Sequence, residues 1–364
     1  MRAARAELFV RGAVLFVRGA GLVIAGAALL LAGCGPGERE VETRHRFMAM
    51  GTLVEVTTWG VPQDEGEAAA RAVEELFHKL HLAWHPRGEG ALGELNRSLA
   101  ADGQARPDPD LEPLLRRAAA LSRVSSGLFQ PAMGRLVALW GFSAEDTVPE
   151  APPPASAVRA WLEDAVTLPA LLQDDGSLAG PAGVQLDLGG FFKGVAVDRG
   201  VELLRARGIE HAIVNAGGDL RAIGRRGERP WRIGIRDADD PATAAAALEI
   251  EDDEAVFTSG DYERFFDHQG ERYHHVLDPR SGYPAEGIRS VTVLHHDAGW
   301  ADAAATALMV AGPRDWPAVA AAMDLEAVLV FLDDGDVELT PAMAPRAWFT
   351  DEAQGGAARV RTLP

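Results

Sequence analysis

Cysteine is nearly missing from this chain. Cys34 is the only one among 364 residues, which excludes an internal disulfide and a multi-thiolate metal site. Long apolar runs are missing too. The stretch from Gly21 to Ala32 is about a dozen residues, short for a bilayer span and the right length for the core of a signal peptide. Basic charge is scarce: 35 Lys and Arg stand against 54 Asp and Glu, a formal net charge of −19. That balance argues against nucleic-acid binding through a basic surface. Internal repeats are absent. So are the dinucleotide and P-loop glycine patterns, the G-x-S-x-G elbow, H-E-x-x-H and the kinase signatures.

What is present begins with a leader. Arg2, Arg5, Arg11 and Arg18 precede or open the apolar run, and Leu31-Ala32-Gly33 leads into Cys34. Small residues before a lone cysteine resemble a lipobox. The expectation is a lipoprotein signal peptide over 1–33, a lipidated Cys34 and a polar tether over 34–45. Loss of 1–33 removes four Arg and one Glu and leaves a net charge of about −22. The chain would then sit in the cell envelope, lipid-anchored to a membrane and facing the periplasm or the exterior. The rest can bury a large core: a domain over 46–350 and a loose tail over 351–364.

Periodicity predicts a strand near Met50–Thr58 and an amphipathic helix over Glu67–Leu82. Further helices are expected at Leu111–Ser125, Ser156–Ala165, Lys193–Arg207 and Ala301–Val310. Strands are expected at Gln185–Gly190, His211–Asn215, Trp231–Arg236, Ala246–Ile250, Ala255–Ser259, Ser290–Leu294 and Leu325–Leu332. Strands and helices mix without a regular βαβ beat, so the class is α+β rather than doubly wound.

Thr258–Pro284 carries three His, three Asp, two Glu and three Arg around Asp278-Pro279. A core strand would not hold so many polar groups, because each buried one needs a partner. The segment therefore reads as part of a site. On an extended chain His274 and His275 point to opposite faces, so one can face a pocket while the other packs. Histidine suits general-base work near neutrality; a surface pair without a role is the plainer alternative. Gly189-Gly190 precedes Lys193, and Gly217-Gly218 precedes Asp219. Glycine lets the backbone approach a ligand, and a helix starting after Gly190 would aim its positive end at an anion. Each pair alone is a tight turn; together with Lys193 they point to a phosphate-bearing ligand. Asp302 and Thr306 share a helix face and offer oxygen donors to a hard cation such as Mg²⁺. Spacing alone favours a simpler reading, a helix-dipole Asp and a Thr bonded back to its own helix.

Taken in order, these pieces resemble the FAD:protein FMN transferases, the ApbE-like flavin transferases. The matching segments are Met50-Gly51-Thr52, Ser126–Phe129 through Leu139–Phe142, Asp187–Gly194 with Asp198, Val214–Asp219, Thr258–Tyr262, His274–Pro284, and Ala301-Asp302 with Thr306-Ala307. The resemblance implies a mixed-sheet, T-fold-related architecture with helices packed on the sheets. It implies an enzyme that binds FAD with Mg²⁺ and moves the FMN half onto a Thr or Ser hydroxyl of an acceptor protein, a membrane or periplasmic redox subunit, releasing AMP.

The family's metal site maps onto Asp302, Thr306 and the Gly190 carbonyl. Its cofactor contacts map onto Met50, Leu128, Phe129, Asp187, Lys193 and Val276. Trp84 falls where the family often has tyrosine. Gln130 stands where Asp is usual, Ala132 where Thr is usual, and Gly93 where Ser usually precedes Glu94; the first two changes weaken a polar contact on the adenosine side. His275 is the expected base, with Asp278 orienting it or taking its place. Glu263, Arg264 and Glu271 are expected on solvated surface. An FAD pyrophosphatase and a non-catalytic flavin-binding lipoprotein remain as alternatives.

Overall fold

Residues 42–59 show how alternation builds the first two strands. Phe47, Val54 and Val56 are buried, while Met48 and Leu53 between them face outward. They lie in β1 (Glu42–Ala49) and β2 (Thr52–Trp59), an antiparallel hairpin. Met50 and Gly51 form its turn with φ of +53° and +71°, the two-residue geometry that matches strand twist. The single strand expected from Met50 is thus two strands with Met50 at their tip, and the last residues of the expected tether already belong to β1.

The structure, a computed structural model, describes residues 41–143, 149–238, 240 and 242–364. The expected leader, Cys34 and most of the tether lie outside these residues. Between β2 and the next strand of the main sheet comes a helical insertion. It holds α1 (Gln63–Trp84), α2 (Ala91–Asp102), α3 (Glu112–Val124), α4 (Gly134–Leu139), α5 (Ala155–Glu163), α6 (Leu168–Leu171) and α7 (Gly189–Ala206). A two-residue pair, β3 (Gln104–Ala105) and β4 (Leu178–Ala179), ties the insertion to itself. The chain continues through β5 (Ala212–Ala216), β6 (Asp219–Ile223), β7 (Trp231–Arg236), β8 (Ala244–Ile250), β9 (Glu254–Gly260), β10 (Phe265–His268), β11 (Glu271–His274) and β12 (Ile288–His295). It ends with α8 (Ala298–Ala322), β13 (Ala327–Leu332), β14 (Val337–Leu339), β15 (Ala347–Phe349), α9 (Glu352–Ala357) and β16 (Arg359–Val360).

The main sheet runs β1-β2-β5-β6-β9-β12-β13-β14-β16. Each strand pairs antiparallel with the next, except the last pair, which is parallel. Alternation sends neighbours to opposite faces. Phe257 and Val293 join the core under α1, α7 and α8, while Val256 and Leu294 join a second core under the small sheet β15-β8-β7. The class is α+β, as expected.

Two further expectations are corrected. Gln185–Gly190 is not a strand. Its extended start is held by a side chain: Asn96 accepts from the Leu186 N–H at 2.7 Å and donates to the Leu186 carbonyl at 2.9 Å. The segment over 351–364 is not loose either. It carries α9 and β16, and Arg361 ion-pairs with the buried Glu338 while its N–H donates to the Leu339 carbonyl at 2.8 Å.

Candidate active site

The sequence motifs meet in one cleft of about 940 Å³. Each arrives on a different element: Met50 on the hairpin tip, Trp84 at the end of α1, Leu128 to Gln130 after α3, Asp187 to Lys193 at the start of α7, His275 and Val276 past β11, and Asp302 and Thr306 on α8. Every residue expected to contact cofactor or metal, and the expected base His275, lies on its lining.

Lys193 is the charged centre of the floor. Its ammonium ion-pairs with Asp219, whose other oxygen accepts from the Thr258 N–H at 2.7 Å. Burial works against the ammonium, yet Asp219, Glu263 and Asp302 outweigh it and hold its pKa above the ordinary lysine value. Burial pushes the Asp302 carboxyl up to about 7; Lys193 and the Gly194 N–H pull it down, and Asp219 and Glu263 add to the rise. The raised pKa of Asp302 means that its ionised form is costly when unpaired, and a bound cation would favour that form.

The start of α7 lies close against α8. A Cβ on Gly190 would come within 2.8 Å of Thr306 Oγ1, so a larger residue would have to displace that hydroxyl. Gly190 departs from helical geometry (ψ 25°). The Gly194 N–H, which a regular helix would send to the Gly190 carbonyl, donates to Asp302 Oδ2 at 2.9 Å. Thr306 donates back to the Asp302 carbonyl at 3.3 Å and lies 3.4 Å from Ser259 Oγ. The helix-bonded threonine of the simpler reading is therefore real, and it coexists with a position beside Gly190. Among the described residues no group of three or more His, Cys, Asp or Glu side chains is set to hold a metal. One buried carboxylate, one hydroxyl and one backbone carbonyl still fit Mg²⁺, which takes few protein oxygens and keeps water.

The two histidines divide as expected. His274 is buried and its Nε2 bonds the Ala285 carbonyl at 2.8 Å. His275 lines the cleft, its N–H donating to the Arg264 carbonyl at 3.0 Å and its Nδ1 buried without a partner. Burial, aided by Arg264, His274 and Lys193, holds the His275 pKa well below the ordinary value, so the ring is neutral at neutral pH. Asp278 does not orient it. Both Asp278 oxygens are taken by Arg280, which also donates to the Val310 carbonyl at 2.7 Å. Asp278 therefore ties this loop to α8, and its expected role beside His275 is withdrawn.

Apolar side chains form the walls. Leu128, Phe129 and Val276 are buried, and Met50 packs against the same core. Trp84 lies 4.4 Å from the Phe192 ring and beneath the Arg199 guanidinium, so much of its ring is already covered. Asp187 bonds the Gly189 N–H at 2.8 Å and opens α7. Gln130 keeps an acceptor where the family usually has Asp. Its Oε1 takes the Ala132 and Leu168 N–H groups at 3.1 and 3.0 Å, so this position shapes the wall as well as facing the cleft.

Sequence reasoning missed Asp219 as the partner of Lys193, although it follows the glycine pair that was singled out. It also misplaced Glu263 and Arg264, which line the cleft; burial, followed by the opposing pull of Lys193, governs the Glu263 carboxyl, whose pKa is raised. Glu271 is exposed, as expected, and bonds the Tyr273 hydroxyl at 2.7 Å.

Known proteins resemble this chain in sequence and fold. A profile of the ApbE family matches residues 50–329. An FAD:protein FMN transferase of Rhodobacter capsulatus is 42% identical over 302 residues, 82% of this chain and 57% of that protein. One of Treponema pallidum is 33% identical over 298 residues, 77% of this chain and 81% of that protein. The chain thus spans just over half the length of the Rhodobacter relative. The crystal structure of the ApbE protein of Thermotoga maritima superposes with a TM-score of 0.73 at 31% identity, covering 82% of this chain and 96% of that one. The Pseudomonas stutzeri flavinyl transferase ApbE gives 0.72 at 28% identity, covering 84% and 97%. The matched span takes in every expected cofactor, metal and base residue from Met50 to Thr306, and the chain belongs to the ApbE family.

Proposed function

We propose that this chain transfers the FMN moiety of FAD to a Thr or Ser hydroxyl of an acceptor protein and releases AMP. The observation that carries the reading is the convergence of His275, the Lys193–Asp219 pair and the Gly190–Asp302–Thr306 trio in one apolar-walled cleft. FAD has two flat ring systems joined by a pyrophosphate. The walls suit the rings, and the floor suits the pyrophosphate, whose negative charge repels nucleophiles. Mg²⁺ bound by Asp302, Thr306 and the Gly190 carbonyl would neutralise that charge and stabilise the leaving phosphate. Lys193, fixed by Asp219, adds a positive charge that does not titrate near neutrality. His275 takes the proton of the acceptor hydroxyl. The hydroxyl oxygen bonds to the FMN-side phosphorus, the bond to the bridging oxygen breaks, and AMP departs with that oxygen.

The test is mass spectrometry of an acceptor bearing a Ser/Thr-Gly-Ala-Thr-type motif after incubation with the protein and FAD, with and without Mg²⁺. The expected result is one covalently held FMN on the hydroxyl and one AMP per transfer, only with Mg²⁺. Free FMN and AMP with an unmodified acceptor would make the chain an FAD pyrophosphatase. Unchanged FAD would make it a flavin-binding protein.

Export and lipid anchoring belong to the same reading, with a membrane or periplasmic redox subunit as acceptor. They are supported by the apolar run that ends in the lone Cys34. In cells fed labelled palmitate the protein should carry label and partition into detergent, and Cys34→Ser should lose both. A Cys34→Ser protein that stays labelled would refute the anchor.

A further inference from the structure

Helices α7 and α8 meet along a seam with a four-residue beat on both sides. Gly190 lies against Thr306. Gly194 lies against Asp302 and Ala298, and Asp198 against Ala298 and Gly299. The helices therefore run antiparallel. The backbones nearly touch: a Cβ on Gly194 would stand 2.2 Å from the Ala298 carbonyl oxygen, and one on Gly299 would meet Phe191 and Val195 at 3.1 Å. A seam of small residues allows this approach. Two polar contacts also cross it. One is the Gly194–Asp302 hydrogen bond inside the cleft. The other is Asp198, which does not line the cleft.

Asp198 is buried, and its carboxylate reaches across to the first turn of α8. Oδ1 accepts from the Ala298 N–H at 3.1 Å and Oδ2 from the Gly299 N–H at 3.2 Å. Arg221 of β6 donates to Oδ1 at 2.6 Å and also to Asp253 Oδ1 at 2.9 and 2.7 Å. The carboxylate is thus held from α7, α8 and the main sheet. It is not the only cap of α8, because Asp297 already accepts the Trp300 N–H at 2.7 Å. What Asp198 adds is a link between the helices.

We propose that Asp198, held by Arg221, is a positioning residue: it fixes the register of α8 against α7 and so keeps Asp302 and Thr306 opposite Gly190. The inference rests on reading that trio as the cation site. Asp198 lies off the cleft lining, so it would not contact a cation or flavin bound there. It acts one helical turn from Asp302, and the structure gives it no other part in the cleft.

The test uses Mn²⁺ alone as probe, titrated into the purified protein and followed by electron paramagnetic resonance, with thermal unfolding of the same samples. Asp198→Ala should weaken Mn²⁺ binding by roughly tenfold or more, the scale on which residues behind metal ligands act. Asp198→Asn, which can still accept from α8, should recover much of the loss. Hydrogen exchange at the Gly194 amide in metal-free protein should be faster in Asp198→Ala. A lower unfolding temperature with unchanged Mn²⁺ affinity and unchanged Gly194 exchange would make Asp198 a stabilising cap only and overturn the proposal. If Asp198→Ala does not fold, Arg221→Met takes its place, and wild-type Mn²⁺ affinity and Gly194 exchange in that variant would overturn it equally. Asp302→Ala separates the two levels. If it binds Mn²⁺ as the wild type does, the cation reading fails, and Gly194 exchange in the metal-free protein still decides the register.

Discussion

His275→Ala should abolish flavin transfer and leave FAD bound with near wild-type affinity. A hydroxyl attacks phosphorus poorly until a base takes its proton, and such help is worth about 10²–10⁴ in rate, or about 3–5 kcal/mol of barrier. His275 is a small part of the cleft wall, so the ring contacts and the Lys193–Asp219 floor remain. The pH profile supplies a second readout. Burial first, then the positive potential of Arg264, His274 and Lys193, holds the imidazole pKa well below its ordinary value. A depressed pKa leaves the neutral, proton-accepting form in place at neutral pH and loses it only at acid pH. The acid limb of kcat/KM should therefore lie below the usual histidine range. Bound pyrophosphate favours the imidazolium, so the limb of kcat should lie higher than that of kcat/KM. Single-turnover flavinylation across the acid range measures both, and fluorescence titration measures FAD affinity. Asp278→Asn should leave the limb in place, because that carboxylate is committed to Arg280. Transfer by His275→Ala within a few fold of wild type would remove His275 from the role of base.

Much of this site was legible because its logic is local. Asp302 and Thr306 share a face because four residues make about one helical turn. His274 and His275 part because successive residues of an extended chain face opposite ways. What could not be read depended on partners distant in the sequence. Asp278 looked free to assist His275 until Arg280 occupied it. Glu263 read as surface because nothing nearby in the chain shows that its turn opens into the cleft beside Lys193. Gln185–Gly190 carries a strand-like pattern, yet its first hydrogen bonds go to the side chain of Asn96, some 90 residues earlier. β1 was hidden because only one of its faces is buried, and Arg44, His45 and Arg46 give it a polar look. β16 is two residues long and owes its place to pairing with β14 and to the Arg361–Glu338 ion pair.

Asp302→Asn should remove the Mg²⁺ dependence together with transfer, and at the same time stabilise the metal-free fold. The wild-type carboxyl is only 6% exposed, and burial raises its pKa from the ordinary 3.8 to about 7. A raised carboxyl pKa means that the folded state holds this proton more tightly than the unfolded chain. The associated stability is full below about pH 4 and drains away as pH rises toward 7. Above that range the ionised form costs at most about 4 kcal/mol. Asparagine has nearly the same shape, can still accept the Gly194 N–H and never ionises, so it avoids this cost. Lys193 keeps its pair with Asp219 in the variant. Without divalent cation, the variant should unfold at a higher temperature than wild type near pH 8 and at the same temperature near pH 4. Added Mg²⁺ should reverse the order near pH 8, because a ligand that binds only the folded state stabilises it by mass action, and the variant has lost the carboxylate that would hold it. Unfolding scans at both pH values, with and without Mg²⁺, measure all four terms. A wild type already the more stable near pH 8 without cation, or an equal Mg²⁺ response in both proteins, would show that Asp302 is not a strained carboxylate kept for a cation.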